Sequence, residues 1–155
     1  MKTNKEIYNR LLKLNKDVKE KLRLSGIVVP IKRDNDTIQL GYFYIKKVNA
    51  GHYNIVDSKN YVIVEGINLP QTAILLANKL ALGKWLDNDI LQVDKKYGFA
   101  LFDEQLHKQL CKLSMKKKNY DRAEIMEDKS KIATRKKDYH KKTIMSNFEK
   151  LMDIR

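Results

Sequence analysis

The positive charge of this chain is held at its two ends. Residues 1–33 carry ten Lys/Arg against three Asp/Glu, and residues 116–142 carry eleven against five. Residues 34–115 hold nine of each, so the whole net charge of +13 flanks an electrically balanced middle. That division constrains the fold, because ionised groups resist burial and the longest apolar stretches lie in the balanced middle. The ends must therefore be arranged around the middle, with their charge facing water or a polyanion. An A/T-rich genome would also yield many Lys, Asn and Ile residues, but it does not explain a neutral centre.

A chain of 155 residues is expected to form one domain, or one domain with helical extensions. The apolar fraction of 43% suffices for a core. Cys111 is the only cysteine, which excludes an internal disulfide. The first residues are polar with no apolar run after them, unlike a signal peptide. The longest apolar-rich stretch, Ala73 to Leu82, is interrupted by Asn78 and Lys79 and is too short to span a bilayer. The expectation is a cytoplasmic or otherwise intracellular protein with no membrane partner.

Periodicity divides the chain into three parts. Residues 1–25 predict an amphipathic basic helix over 4–24. Thr3 and Glu6 have capping-box spacing, Ile7, Leu11, Leu14, Val18 and Leu22 form one apolar stripe, and Ser25-Gly26 stops the helix. Residues 26–115 predict an α+β core. Its antiparallel meander has three to four strands within 27–65: one at about 27–33, marked as an edge by Pro30, then 37–47, 52–57 and 61–65. Gly41 is expected to be a bulge in the longest strand, where the alternation of Ile38 and Leu40 changes phase to Phe43 and Ile45.

Helices follow at 70–82, capped by Asn68, at 86–97 with Trp85, Leu86, Ile90, Leu91 and Val93 inward, and at 99–115. Gly98 is expected to break the last two apart. Phe99, Phe102, Leu106, Leu110 and Leu113 fall in helical register. Residues 116–155 predict a basic helical extension. Residues 120–142 offer so little apolar surface that they read as a solvated helix or as chain ordered only on binding. Ile144, Met145, Phe148, Leu151 and Met152 form an amphipathic face that must bury somewhere. The fold class is α+β: N-terminal helix, small antiparallel meander, then a helical bundle with a basic C-terminal extension.

No catalytic constellation emerges. His107 and Cys111 are spaced to share a helix face, but His52 and His140 are the only other histidines, so a metal site lacks ligands. Asp87, Asp89, Asp103 and Glu104 read as helix-start carboxylates. Phosphate-binding glycine loops and triad signatures are absent. No cofactor, metal or enzymatic activity is expected, and a small enzyme ranks last among the readings.

Three antiparallel strands followed by a helix resemble, in element order, the DNA-binding domains of phage integrase arms and plant ethylene-response factors. Those families read the major groove through Arg and aromatic side chains. Here the strands offer Lys46, Lys47, His52, Tyr42, Tyr44 and Tyr53, with no Arg between Arg33 and Arg122. Separately, Asn68-Leu69-Pro70-Gln71-Thr72-Ala73-Ile74 and Tyr97-Gly98-Phe99-Ala100-Leu101-Phe102 resemble segments of small uncharacterised proteins of tailed phages of marine bacteria. That resemblance covers about 68–106 and implies a phage role, including virion structure or assembly, in host cytoplasm or virion.

The first functional reading is a non-enzymatic protein that contacts nucleic acid, or another polyanion, through its basic flanks. The contact residues expected are Lys116, Lys117, Lys118, Arg122, Lys131, Arg135, Lys136, Lys137, Lys141 and Lys142. Lysine outnumbers arginine 26 to 6, which favours backbone electrostatics over base reading. The second reading is a structural or assembly subunit that docks on itself or another protein through Ile7, Leu11, Leu14 and Val18 and through Ile144, Phe148 and Leu151.

Overall fold

The computed structural model describes residues 31–34, 36–49 and 51–152. The expected helix at 4–24, and with it Ile7, Leu11, Leu14 and Val18, lies outside the described residues. The fold is α+β. Five antiparallel strands follow one another across a single sheet: β1 (Ile31–Lys32), β2 (Thr37–Leu40), β3 (Phe43–Asn49), β4 (His52–Asp57) and β5 (Val62–Ile67). Three helices come after them: α1 (Pro70–Ala81), α2 (Asn88–Lys116) and α3 (Tyr120–Met152).

Gly41 is not a bulge within one long strand. Leu40 pairs with Phe43, so Gly41 and Tyr42 form a two-residue hairpin turn. Gly41 has φ +57°, and glycine at the first turn position is what a II′ hairpin requires. The change of phase in the apolar pattern is the chain reversing direction. Ile38 then pairs with Ile45, and Ile45 with Ile55, on one face of the sheet. The meander's irregularities come later, between Lys47 and Asn49 where β3 pairs with β4, and between Tyr53 and Val56 where β4 pairs with β5.

Leu40, Ile45, Ile55, Val64 and Ile67 from the sheet pack against Ala73, Ile74, Leu76 and Ala77 of α1 and against Phe148 of α3. α1 is buried on most sides, as its composition implies. It ends where Gly83 takes φ +75°, with Gly83 N donating to Leu80 O and Lys84 N to Lys79 O. Trp85 follows in the connection to α2 and is 94% exposed. The inward position expected for it fails because helical periodicity does not extend into that connection. Leu86, Ile90 and Leu91 do pack against the core.

The N-terminus of α1 is capped from another helix. Its own N-cap residue, Leu69, has no polar side-chain atom to offer, and Asn68 does not take that role. Asp94 of α2, fully buried, accepts hydrogen bonds from Asn68 N (2.8 Å), Leu69 N (2.9 Å) and Thr72 Oγ1 (2.8 Å). These donors and the positive end of the helix dipole compensate its charge.

Gly98 does not break the helix, and the two expected segments 86–97 and 99–115 are one helix of 29 residues. A glycine inside a helix costs about 1 kcal/mol relative to alanine, yet it allows α2 to approach Asn68. A Cβ at position 98 would stand 2.8 Å from the Asn68 Cγ.

Because α2 is continuous, Asp94 sets its rotational phase as far as the C-terminal end. That phase buries Ala100, Glu104 and Ser114 against α3 and leaves Phe99, Phe102, Leu106 and Leu113 exposed. Asp103 and Glu104 thus lie mid-helix, not at a helix start.

α3 bears on two further expectations: the first of the two readings of 120–142 holds, and the C-terminal docking stripe is corrected. Residues 120–142 form a continuous helix without large core residues, because Ala123, Ser130 and Ala133 are small enough to pack closely on α2. Ile144 and Phe148 are fully buried in the protein's own core, and Leu151 is half-buried against it. The C-terminal stripe is therefore consumed internally and offers no docking surface. The sheet needs a cover beyond α1, and the end of α3 supplies it.

Replacing Asp94 with Ala should lower unfolding stability by about 3 kcal/mol, since it strands buried donors that now meet a charged acceptor. Denaturant titration reads this directly; a loss under 1 kcal/mol would refute the capping role. Gly98→Ala should destabilise by about 1 kcal/mol despite the better helix propensity of alanine. Asn68→Ala introduced beside it should recover part of that loss.

Candidate nucleic-acid interface

α2 and α3 form a long antiparallel hairpin. Its turn repeats the geometry that ends α1: Lys118 N donates to Met115 O (3.0 Å) and Asn119 N to Ser114 O (2.9 Å). The left-handed position, filled by glycine after α1, is filled here by Lys118 at φ +56°. A non-glycine residue there costs about 1 kcal/mol. Asn119 caps α3 by accepting from Arg122 N through its side chain (3.3 Å) and from Ala123 N through its carbonyl (3.0 Å). Lys116, Lys117, Lys118 and Arg122 are thereby gathered at the tip, all exposed. Lys117 and Arg122 border a hollow of about 280 Å³ with Leu110, Leu113, Ser114 and Asn119.

A cationic line extends from that tip along one face. Arg122, Lys129 and Lys136 are exposed and recur every seven residues, which places them on one side of α3, about 10 Å apart. Lys129 and Lys136 line a second hollow, of about 170 Å³, with Ile132 and Ala133 and with Ala100, Asp103 and His107 of α2. Nearer the sheet stands His140, its ring edge-on to Tyr139 at 5.5 Å between centroids. Burial holds its pKa below the usual histidine range, and the charges of Lys96 and Lys136 lower it further.

The other expected contact residues are placed differently. Lys131, Arg135 and Lys142 are exposed, but their helical spacing puts them on the opposite face, and Lys131 lies 3.6 Å from Glu127. Lys141 is half-buried. Lys137 is withdrawn from the surface: its ammonium sits 3.0 Å from the Glu104 carboxylate and its side chain is 20% exposed. It belongs to the seam between the helices. Two residues join the cationic face that the sequence reading missed. Lys129 follows Glu127 and Asp128, yet its seven-residue spacing from Arg122 and Lys136 could have revealed it. Lys96 comes from the neutral middle, and no local signal marks it.

The seam itself is polar. Glu104 is buried and accepts a hydrogen bond from the Thr134 hydroxyl, with Lys137 at 3.0 Å and Lys108 at 3.7 Å. The Thr134 hydrogen bond holds the Glu104 pKa below the ordinary glutamate value; burial works the other way, and Lys137 and Lys108 lower it again.

His107 Nδ1 lies 2.7 Å from Asp103 O, and Cys111 is half-buried. Among the described residues no group of three His, Cys, Asp or Glu is placed to hold a metal ion. No described helix is long and apolar enough to cross a membrane. On the sheet, Lys46 Nζ is bonded to Asn60 Oδ1 at 2.8 Å. No protein-family model, curated protein or solved structure matches this chain.

Because the folded-state pKa of Glu104 is depressed, its ionised form stabilises the hairpin above the ordinary glutamate pKa, and this contribution is lost as pH falls through the folded value. Glu104→Gln should cost about 2 kcal/mol near neutral pH, and the difference from the parent should shrink steadily toward acid. Thermal melts across pH 3–7 measure it; a difference independent of pH would refute the assignment.

Proposed function

We propose that this is a non-enzymatic nucleic-acid-binding protein that holds phosphate backbones against one face of its helical hairpin. The observation that carries this reading is the line of exposed cations Lys118, Lys117, Arg122, Lys129 and Lys136, with Lys96 alongside. None of the six is ion-paired with a described residue. Lys118 adds weight, because a lysine stands at a left-handed position that glycine would occupy with less backbone strain. Lysine ammonium groups contact phosphates as point charges without reading bases. Recognition is therefore electrostatic and largely independent of sequence, and each phosphate contact releases a counterion.

The assembly reading draws on a separate observation: Phe99, Phe102, Leu106 and Leu113 point outward. A subunit could use both faces, one toward nucleic acid and one toward protein.

Affinity for random-sequence duplex DNA, followed by anisotropy, should fall about a thousandfold between 50 and 200 mM salt if six phosphates are contacted. Arg122→Gln/Lys129→Gln/Lys136→Gln should remove most of the affinity and flatten the salt dependence, whereas Lys131→Gln/Arg135→Gln/Lys142→Gln should weaken binding much less. Lys118→Gly should weaken binding while raising stability by about 1 kcal/mol. No binding at the low-salt end, or equal losses from the two triple variants, would reject this reading.

A further inference from the structure

Along its outer length the hairpin carries small and polar side chains inward and large apolar ones of α2 outward. Ala100, Glu104 and Ser114 of α2 meet Ala123, Ser130 and Ala133 of α3, whereas Phe99 is 71%, Phe102 61%, Leu113 52% and Leu106 38% exposed. With the half-buried Leu110, these residues step by three, four, four and three positions along α2. At the α-helical repeat that makes a stripe roughly 80° wide and about 21 Å long. A band this narrow, with this spacing, is the seam of a helix–helix contact; a helix lying on a membrane surface needs a broader apolar face. Large apolar groups concentrated on one exposed face mark an interaction site.

The rim of the stripe selects the occupant. Lys95, Lys96, Lys112, Lys116 and Lys117 surround it, all exposed and none ion-paired with a described residue. Asp103 is the one exposed acid on this stretch of α2. A second copy of the chain would set lysines against lysines, and like charges across a helix seam repel. Nucleic acid gains little from Leu106, Leu110 and Leu113, which have no π face on which a base can stack.

We infer that the outer face of α2 is a docking site for an acidic amphipathic helix of another protein, about four turns long. Its apolar residues pack between Phe99 and Leu113, and its Asp and Glu side chains meet the lysine rim. The rim shares Lys96 and Lys117 with the proposed phosphate-binding line, but Phe99, Phe102, Leu106, Lys95 and Lys112 lie outside it, so substitutions at those positions test the docking site independently.

The probe is a labelled 21-residue peptide with Leu and Ile at seam positions and Glu beside them, titrated into the full-length protein. A second peptide keeps the seam and carries Lys in place of Glu. The acidic peptide should bind with micromolar Kd, at least tenfold tighter than the basic one. Phe102→Asp and Leu106→Asp should each weaken it tenfold or more without changing the thermal melt or DNA affinity. Lys95→Glu/Lys112→Glu should narrow or invert the preference between the two peptides. Equal binding of the two peptides, or no binding, would overturn the inference. So would a dimer in light scattering that Phe102→Asp dissociates, which would assign the face to a second copy. Sedimentation with phosphatidylserine vesicles lost in Phe102→Asp would assign it to a membrane and overturn it equally.

Discussion

Asp94 joins the two halves of this protein. Its carboxylate, carried on α2, accepts hydrogen bonds from the backbone N–H groups of Asn68 and Leu69, which join the last strand of the sheet to the start of α1. One buried charge therefore fixes the sheet, the central helix and the hairpin relative to each other. Gly98 lies one helical turn further along the same helix and allows the close approach to Asn68. Rigid attachment at that point sets the phase of everything α2 carries toward its tip, including which side chains meet α3 and which meet solvent.

The consequence is a hairpin whose stability comes from proximity and polar pairing, with little apolar burial along its outer length. Alanines and serines let the two helices lie close, and Glu104 with Thr134 and Lys137 fixes their register. α3 returns to the body of the protein, where Ile144 is buried and Phe148 joins the core formed by the sheet and α1. With both ends anchored, the middle of the hairpin is free to present large apolar side chains on the outside of α2 and cations along its front. Neither surface is required by the fold, which is why both are read as sites for partners.

Much of the fold was legible in the sequence. The strand alternation, the apolar run of α1 with Pro70 at its start and Gly83 after its end, and the amphipathic stripe at 144–151 all reflect local periodicity. Glycine was the ambiguous signal. Gly83 stops a helix through its own positive φ, Gly41 turns a hairpin, and Gly98 sits within a helix because a neighbour comes close. Composition does not distinguish these uses, since each depends on what lies across from the residue. The cationic face was half legible: the run at 116–118 is plain in the chain, but Lys137 and Lys136 are adjacent and only one faces water.

The sequence by itself determined the class of fold, the order of its elements and the confinement of net charge to the ends, because these follow from the spacing of apolar and charged residues along the chain. Tertiary structure decided which lysines share a face, which are spent on Glu104, and that α2 points its leucines and phenylalanines outward. Helical periodicity defines faces without saying which face turns inward. That choice was made at a distance, by a carboxylate reaching across to the start of another helix.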